Sequence, residues 1–175
     1  MTYLDVTCRA LLGAVFVGAL IGKVAGRGAF AAFTASLRRM DVLPAKVVVP
    51  AAGATVAAEA LVALLVLIPT RGTGAAGCAL AAVVLAVFTA AVVRSLRRGN
   101  RAPCRCFGAS SQPLGPRHVV RNVGLVAVAL LGLAATLTAG RVEVAPAVVA
   151  GTVGLVLGVL VAVFDDILAL VRPAR

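Results

Sequence analysis

Tryptophan is absent from this chain, histidine and tyrosine occur once each, and charged residues fill only 13% of its 175 positions. Soluble domains carry about 25% charged residues. A chain this poor in charge and 62% hydrophobic lacks the polar surface to face water. Without tryptophan there is little of the aromatic belt that often marks membrane interfaces, so membrane segments have to be read from the length of apolar runs. The single histidine, His118, limits metal chemistry: Cys104, Cys106 and His118 would leave a structural zinc site one ligand short. No metal is therefore expected. No repeat, low-complexity tail or domain linker is visible.

What the chain has is Ala, Val, Leu and Gly in long runs, with a mean hydropathy of +1.09. Runs that meet the roughly 20 residues demanded by a hydrocarbon core fall at 6–25, 47–68, 75–93, 119–139 and 144–164. The expectation is a single integral membrane domain over 1–175 and an all-α fold. It would be a polytopic transmembrane helical bundle with four core helices and a fifth at the C-terminus. The first run does not read as a cleaved signal, because Asp5 precedes Arg9 and Lys23 interrupts the small-residue stretch where cleavage would fall.

The formal net charge of +11 matters through its distribution. Five spans put 27–46, 94–121 and the C-terminal tail on one face, and with Lys23 that face holds fourteen of the 17 Lys and Arg residues. Arg9, Arg71 and Arg141 belong to the other. The positive-inside rule then predicts an N-terminus outside and a C-terminus inside, in a bacterial plasma membrane, with the 94–118 loop at the cytoplasmic surface. The basic excess reads as topology and contact with membrane lipids, and no nucleic acid partner is expected.

Between the first two runs, Phe30, Phe33, Leu37 and Met40 recur at helical spacing, with Arg38, Arg39 and Asp41 turned away. This predicts a short interfacial helix ended by Pro44, either a plain amphipathic connector or a ligand contact. Gly18-x-x-x-Gly22-x-x-x-Gly26 and Gly154-x-x-x-Gly158 offer faces where helices can approach closely. Over 94–118, Gly99, Pro103, Gly108, Pro113, Gly115 and Pro116 break regular structure and predict a compact loop.

That loop carries Cys104-Arg105-Cys106. A disulfide between residues two apart closes a strained ring that is easily reduced, which suits exchange better than stapling. Arg101, Arg105, Arg117 and Arg121 would stabilise the reactive thiolate, and Phe107-Gly108 supplies an apolar anchor and a sharp turn. Incidental thiols or a metal clip are the alternatives. Glu59 near the middle of the second run needs a partner, because a lone carboxylate there costs about 2.5–3.5 kcal/mol on the lenient scale. Lys23 and Arg9 are the candidates; otherwise both cations snorkel and Glu59 is protonated. His118, Arg121 and Asn122 share a helix face below the loop, as a site or as a plain polar anchor. Asp165-Asp166 mark the aqueous end of the last span. Cys8 and Cys78 open the first and third spans on the opposite face from the loop. They form a second thiol pair there or fill an Ala-rich contact.

With these residues in view, the chain resembles the MauE/DoxX-like redox-associated membrane proteins, the group named for methylamine utilisation protein MauE. The resemblance rests on Arg9, Phe16 and Gly22-Lys23; on Phe30, Leu37 and Leu43-Pro44; and on Pro50 and Glu59. It continues through Arg97-Arg98-Gly99, Cys104-x-Cys106-Phe107-Gly108 and Arg121-Asn122. Members usually carry glycine between the cysteines, where this chain has Arg105. The resemblance implies a membrane bundle that handles thiol–disulfide chemistry for exported proteins, often beside thioredoxin-like proteins. MauE itself is associated with maturing the disulfide-rich small subunit of methylamine dehydrogenase. A protein serving exported clients would show its thiols outside, whereas the charge count puts them inside.

The expected function is therefore a thiol–disulfide oxidoreductase working through Cys104 and Cys106 with a thioredoxin-like partner. The rivals are a non-enzymatic assembly factor and a quinone or small-molecule binder built around Glu59 and Lys23. A reporter fused after Arg175 is predicted to stay on the cytoplasmic side; an exported reporter would refute the charge-based orientation.

Overall fold

The structure is a computed structural model that describes residues 1–99, 115–140 and 143–171, with side chains up to Phe164. Cys104, Arg105, Cys106, Phe107 and Gly108 lie outside the described residues, as do Arg141 and the tail from Arg172. Within them the chain is all-α: α1 (Thr2–Val24), α2 (Ala29–Met40), α3 (Ala45–Leu67), α4 (Arg71–Arg97), α5 (Pro116–Thr138) and α6 (Val144–Val171). Five of these, all but α2, are long and apolar enough to cross a membrane, and the chain is a multi-pass membrane protein.

Each of the five long helices extends past the apolar run that announced it at one end or both, for local reasons. Thr70 caps α4 by accepting the Thr73 N–H at 3.3 Å, so this helix starts in the turn rather than at residue 75. Arg94 and Arg97 carry its other end into the interface, where basic residues suit a helix C-terminus. Pro116 opens α5 at a position where its missing N–H costs nothing. Helix α6 runs on through Asp165-Asp166 to Val171, so these two acids close the apolar run without ending the helix.

Helix α1 is the hub. It packs on α3, α5 and α6, and 44% of its span is buried, against 11% for α6. Leu12, Val15, Phe16 and Ala19 from α1 meet Val62 and Val66 from α3, Ala81 and Leu85 from α4, and Leu125 and Ala129 from α5. Leu64, Leu67, Val83, Val87, Val120 and Leu131 point outward, as they should where lipid is the solvent. The core is thus four helices, with α6 laid outside against α1.

The α1/α6 seam depends on missing side chains. A Cβ on Gly158 would stand 2.6 Å from the Leu11 carbonyl oxygen and 2.7 Å from Ala14 Cβ, and one on Gly154 would run into the Thr7 carbonyl. On the α1 side the expected Gly18, Gly22, Gly26 face is replaced by Ala10, Ala14 and Gly18. Gly18 lies 3.7 Å from Ala162 by the same measure, while Gly26 stands past the helix end in open space at φ 101°.

Helix α2 leans on α1 and α3. Phe33 and Met40 are buried and Leu37 packs against the core, but Phe30 is 39% exposed. The apolar stripe therefore begins a turn later than its spacing suggested. Asp41, in the left-handed region at φ 50°, ends the helix before Pro44. Ser95 Oγ donates to the Met40 carbonyl at 3.3 Å and Arg98 Nη1 to that of Asp41 at 2.5 Å, tying α2 to the end of α4.

Replacing Gly158 by Leu is expected to lower stability by about 1–3 kcal/mol, the usual cost of overpacking a tight contact. Gly72→Leu, at a site with nothing within 4 Å, should be neutral. Denaturation in mixed micelles compares them, and equal stability of the two variants would discount the seam.

Candidate functional site

Asp5, Cys8, Leu12, Phe16, Ala19 and Lys23 recur at intervals of three and four, forming the buried stripe that α1 turns toward the bundle. At its C-terminal end Lys23 is 1% exposed, and its Nζ donates to Glu59 Oε1 on α3 at 2.8 Å and to the Ala19 carbonyl at 3.3 Å. The same ammonium lies 5.0 Å from the centre of the Phe33 ring on α2, within cation–π range. Glu59 is 2% exposed. Its partner is Lys23, not Arg9, and Lys23 does not snorkel.

Helix α5 completes this end. Thr136 Oγ1 donates to Asp5 Oδ1 at 2.5 Å, and Gly132 abuts Cys8, which fixes α1 and α5 antiparallel. Carried along at 1.5 Å per residue, that register brings Lys23 level with His118 and Ala19 level with Asn122. His118 and Asn122 are both buried on the face of α5 that also carries Leu125 and Ala129, while Arg121 sits to one side, half-buried. Glu59 Oε2 and both amide atoms of Asn122 are buried with no hydrogen-bond partner. Lys23, Phe33, Glu59, His118 and Asn122, from four helices, are thus brought to one level of an apolar bundle. No cluster of metal-ligating side chains is brought together among the described residues.

Arg9 belongs to the opposite end. Its Nε donates to the Val66 carbonyl at 3.0 Å and its Nη2 to that of Ile68, covering carbonyls that the end of α3 leaves without helical donors. Asp5 lies 3.6 Å away. Gly74 makes room for this guanidinium, since a Cβ there would stand 2.7 Å from Nη1. Arg9 is a staple between α1, α3 and α4.

Cys8 and Cys78 meet beside it. Measured from where a Gly132 Cβ would stand, Cys78 Sγ is at 3.1 Å and Cys8 Sγ at 4.0 Å. Both are free and buried. They stand inside the bundle rather than at its surface, filling the notch left by Gly132 in the manner of small apolar residues. Gly132, Gly74 and Thr136 went unnoticed in the sequence, and Asp5 was read only as evidence against a cleaved signal. The usable signal was Asp5 and Arg9 four residues apart in an otherwise apolar helix.

The family model described as Methylamine utilisation protein MauE matches residues 1–135. The chain belongs to the MauE family. No curated protein and no solved structure matches it. The MauE match takes in α1 to α4 and nearly all of α5, including every side chain of the Lys23 cluster, and it stops short of α6.

Breaking the MauE-region ion pair from one side, by Glu59→Leu or Lys23→Met, should cost about 3–5 kcal/mol, because the charge left behind has no solvent. The double variant Lys23→Met/Glu59→Leu should recover most of that loss. Chemical unfolding of the purified protein checks it; additive losses in the double variant would show that the two residues act separately.

Proposed function

We propose that this MauE-family protein is a membrane thiol–disulfide redox protein that exchanges electrons with a thioredoxin-like partner through Cys104 and Cys106, in support of the maturation of exported proteins. The observation that carries the reading is position. The Cys104-Arg105-Cys106-Phe107-Gly108 string joins α4 to α5, and the flanking ends of these helices stand at the same end of the bundle as the Lys23–Glu59 pair.

In the proposed step, the thiolate of one cysteine attacks the partner's disulfide and forms a mixed disulfide. The second cysteine attacks the mixed disulfide and releases the partner as a dithiol. Two electrons leave the Cys104/Cys106 pair, which becomes a disulfide, and the reverse sequence reduces it again. Arg105, Arg117 and Arg121 favour the thiolate, and Phe107 and Gly108 shape the loop. The charge count orients the chain with its N-terminus outside and the loop at the inner face of a bacterial plasma membrane, where the partner docks.

A second reading is favoured by the unpartnered Glu59 Oε2 and Asn122 amide: a small polar-headed molecule, such as a quinone, held between Lys23, Glu59 and Asn122. Trapping separates the readings. Cys106→Ser or Cys104→Ser should leave a covalent adduct with a thioredoxin-like protein, cleaved by reductant. Alkylation should show at least one thiol titrating below the usual value of about 8.5. Absence of any adduct, with both thiols titrating normally, would leave a non-enzymatic assembly role. Lost function in Glu59→Gln with exchange intact would favour the small-molecule reading.

A further inference from the structure

Helices α3 and α4 leave their shared turn in close contact, because Gly77 lets α4 close on α3: a Cβ there would stand 2.8 Å from Val66 Cγ1. Toward the other end the contact opens. There Ala51 and Ala54 of α3 and Ala90 and Ala91 of α4 line a groove of about 480 Å³, walled by Phe88 and by Leu37 from α2. Ala54, Ala90 and Val87 along it are exposed, so in a membrane-spanning chain it opens sideways into the hydrocarbon.

The groove ends at Arg94. From Val87 to Arg94 is about 10 Å of helix, enough for the upper half of a lipid chain. Arg94 is exposed in the last turn of α4, and neither it nor the exposed Lys46 and Arg97 of the same end forms an ion pair among the described residues. Among the described residues the exposed carboxylate of that end is Asp41, whose backbone carbonyl is held by Arg98, while Glu59 is buried against Lys23. An apolar slot that runs from hydrocarbon to an uncompensated cation matches a molecule with an apolar tail and an anionic head.

We propose that this groove is a binding site for one anionic phospholipid, with an acyl chain lying over Ala54 and Ala90 and the phosphate bound by Arg94. Head and tail are recognised by different residues, so they can be removed separately. A cation near the surface contributes about 1 kcal/mol toward an anionic lipid, which sets the expected preference at about fivefold.

The test supplies the full-length protein in micelles with equal phosphatidylglycerol and phosphatidylcholine of matched chains, and counts retained lipid by native mass spectrometry. Wild type should keep about one lipid, phosphatidylglycerol about fivefold over phosphatidylcholine. Arg94→Gln should keep the lipid but lose the preference. Ala54→Leu/Ala90→Leu, which fills the groove from exposed positions, should lose both lipids with helical content unchanged. Equal retention of the two lipids by wild type, full preference in Arg94→Gln, or undiminished lipid in the groove-filled variant would each overturn the proposal.

Discussion

A lysine ammonium and a glutamate carboxylate sit 2.8 Å apart at 1% and 2% exposure, in a chain whose surroundings are side chains and lipid. Neither charge can be left alone there, since several kcal/mol separate the paired from the unpaired state. The pair therefore acts as a positional constraint: α1 and α3 hold the one register that keeps Lys23 beside Glu59. Phe33 and Asn122 inherit their places from it. Phe33 lies over the ammonium because α2 follows directly from the end of α1. Asn122 is level with Ala19 because α5 runs antiparallel along the same stripe.

The other end of α1 is held by a different device. Arg9 occupies the last carbonyls of α3 while Asp5 takes the Thr136 hydroxyl. About 21 Å of helix separates Arg9 from Lys23, and between them the stripe is apolar: Leu12, Phe16 and Ala19. Helices in lipid have little hydrophobic drive to associate, so a dry middle fixed by polar ties at both ends is a way to hold a bundle of small residues in one arrangement. The ties differ in chemistry. Arg9 gives Nε and Nη2 to backbone carbonyls and turns Nη1 to Asp5, whereas the Lys23 end leaves Glu59 Oε2 and the Asn122 amide unpartnered. This difference makes the Lys23 end the candidate site and the Arg9 end a fastening.

The spans were legible because hydrocarbon thickness imposes a length that apolar runs must meet. Glu59 and Lys23 were legible as a problem for the same reason, being charges inside such runs. The choice between Lys23 and Arg9 was not legible, since it depends on how far α3 slides along α1 and sequence spacing within one helix carries no such information. Helix α2 was readable as a helix, but Phe30 was misplaced because the stripe meets the bundle only from Phe33 onward. The Cys8, Cys78 and Gly132 contact joins α1, α4 and α5, and no pattern within any one of them announces it.

Helix α1 carries two faces that answer to different partners. One is the stripe from Asp5 to Lys23; the other, with Ala10, Ala14 and Gly18, receives the glycines of α6. The MauE match ends at residue 135, so the family resemblance covers the first face and its partners up to Ala135, one residue short of Thr136, but not the helix that meets the second. A close seam of small residues costs a core little to forgo, because Ala and Gly facing lipid leave no charge or hydrogen-bonding group exposed. The stripe has no such freedom: moving it off α3 or α5 strands Lys23, Glu59 or Asp5 in hydrocarbon. The helices that position the candidate site are therefore bound to one another by necessity, whereas α6 is joined to them by shape and by the Thr7 hydroxyl, which donates to the Ala150 carbonyl at 3.1 Å.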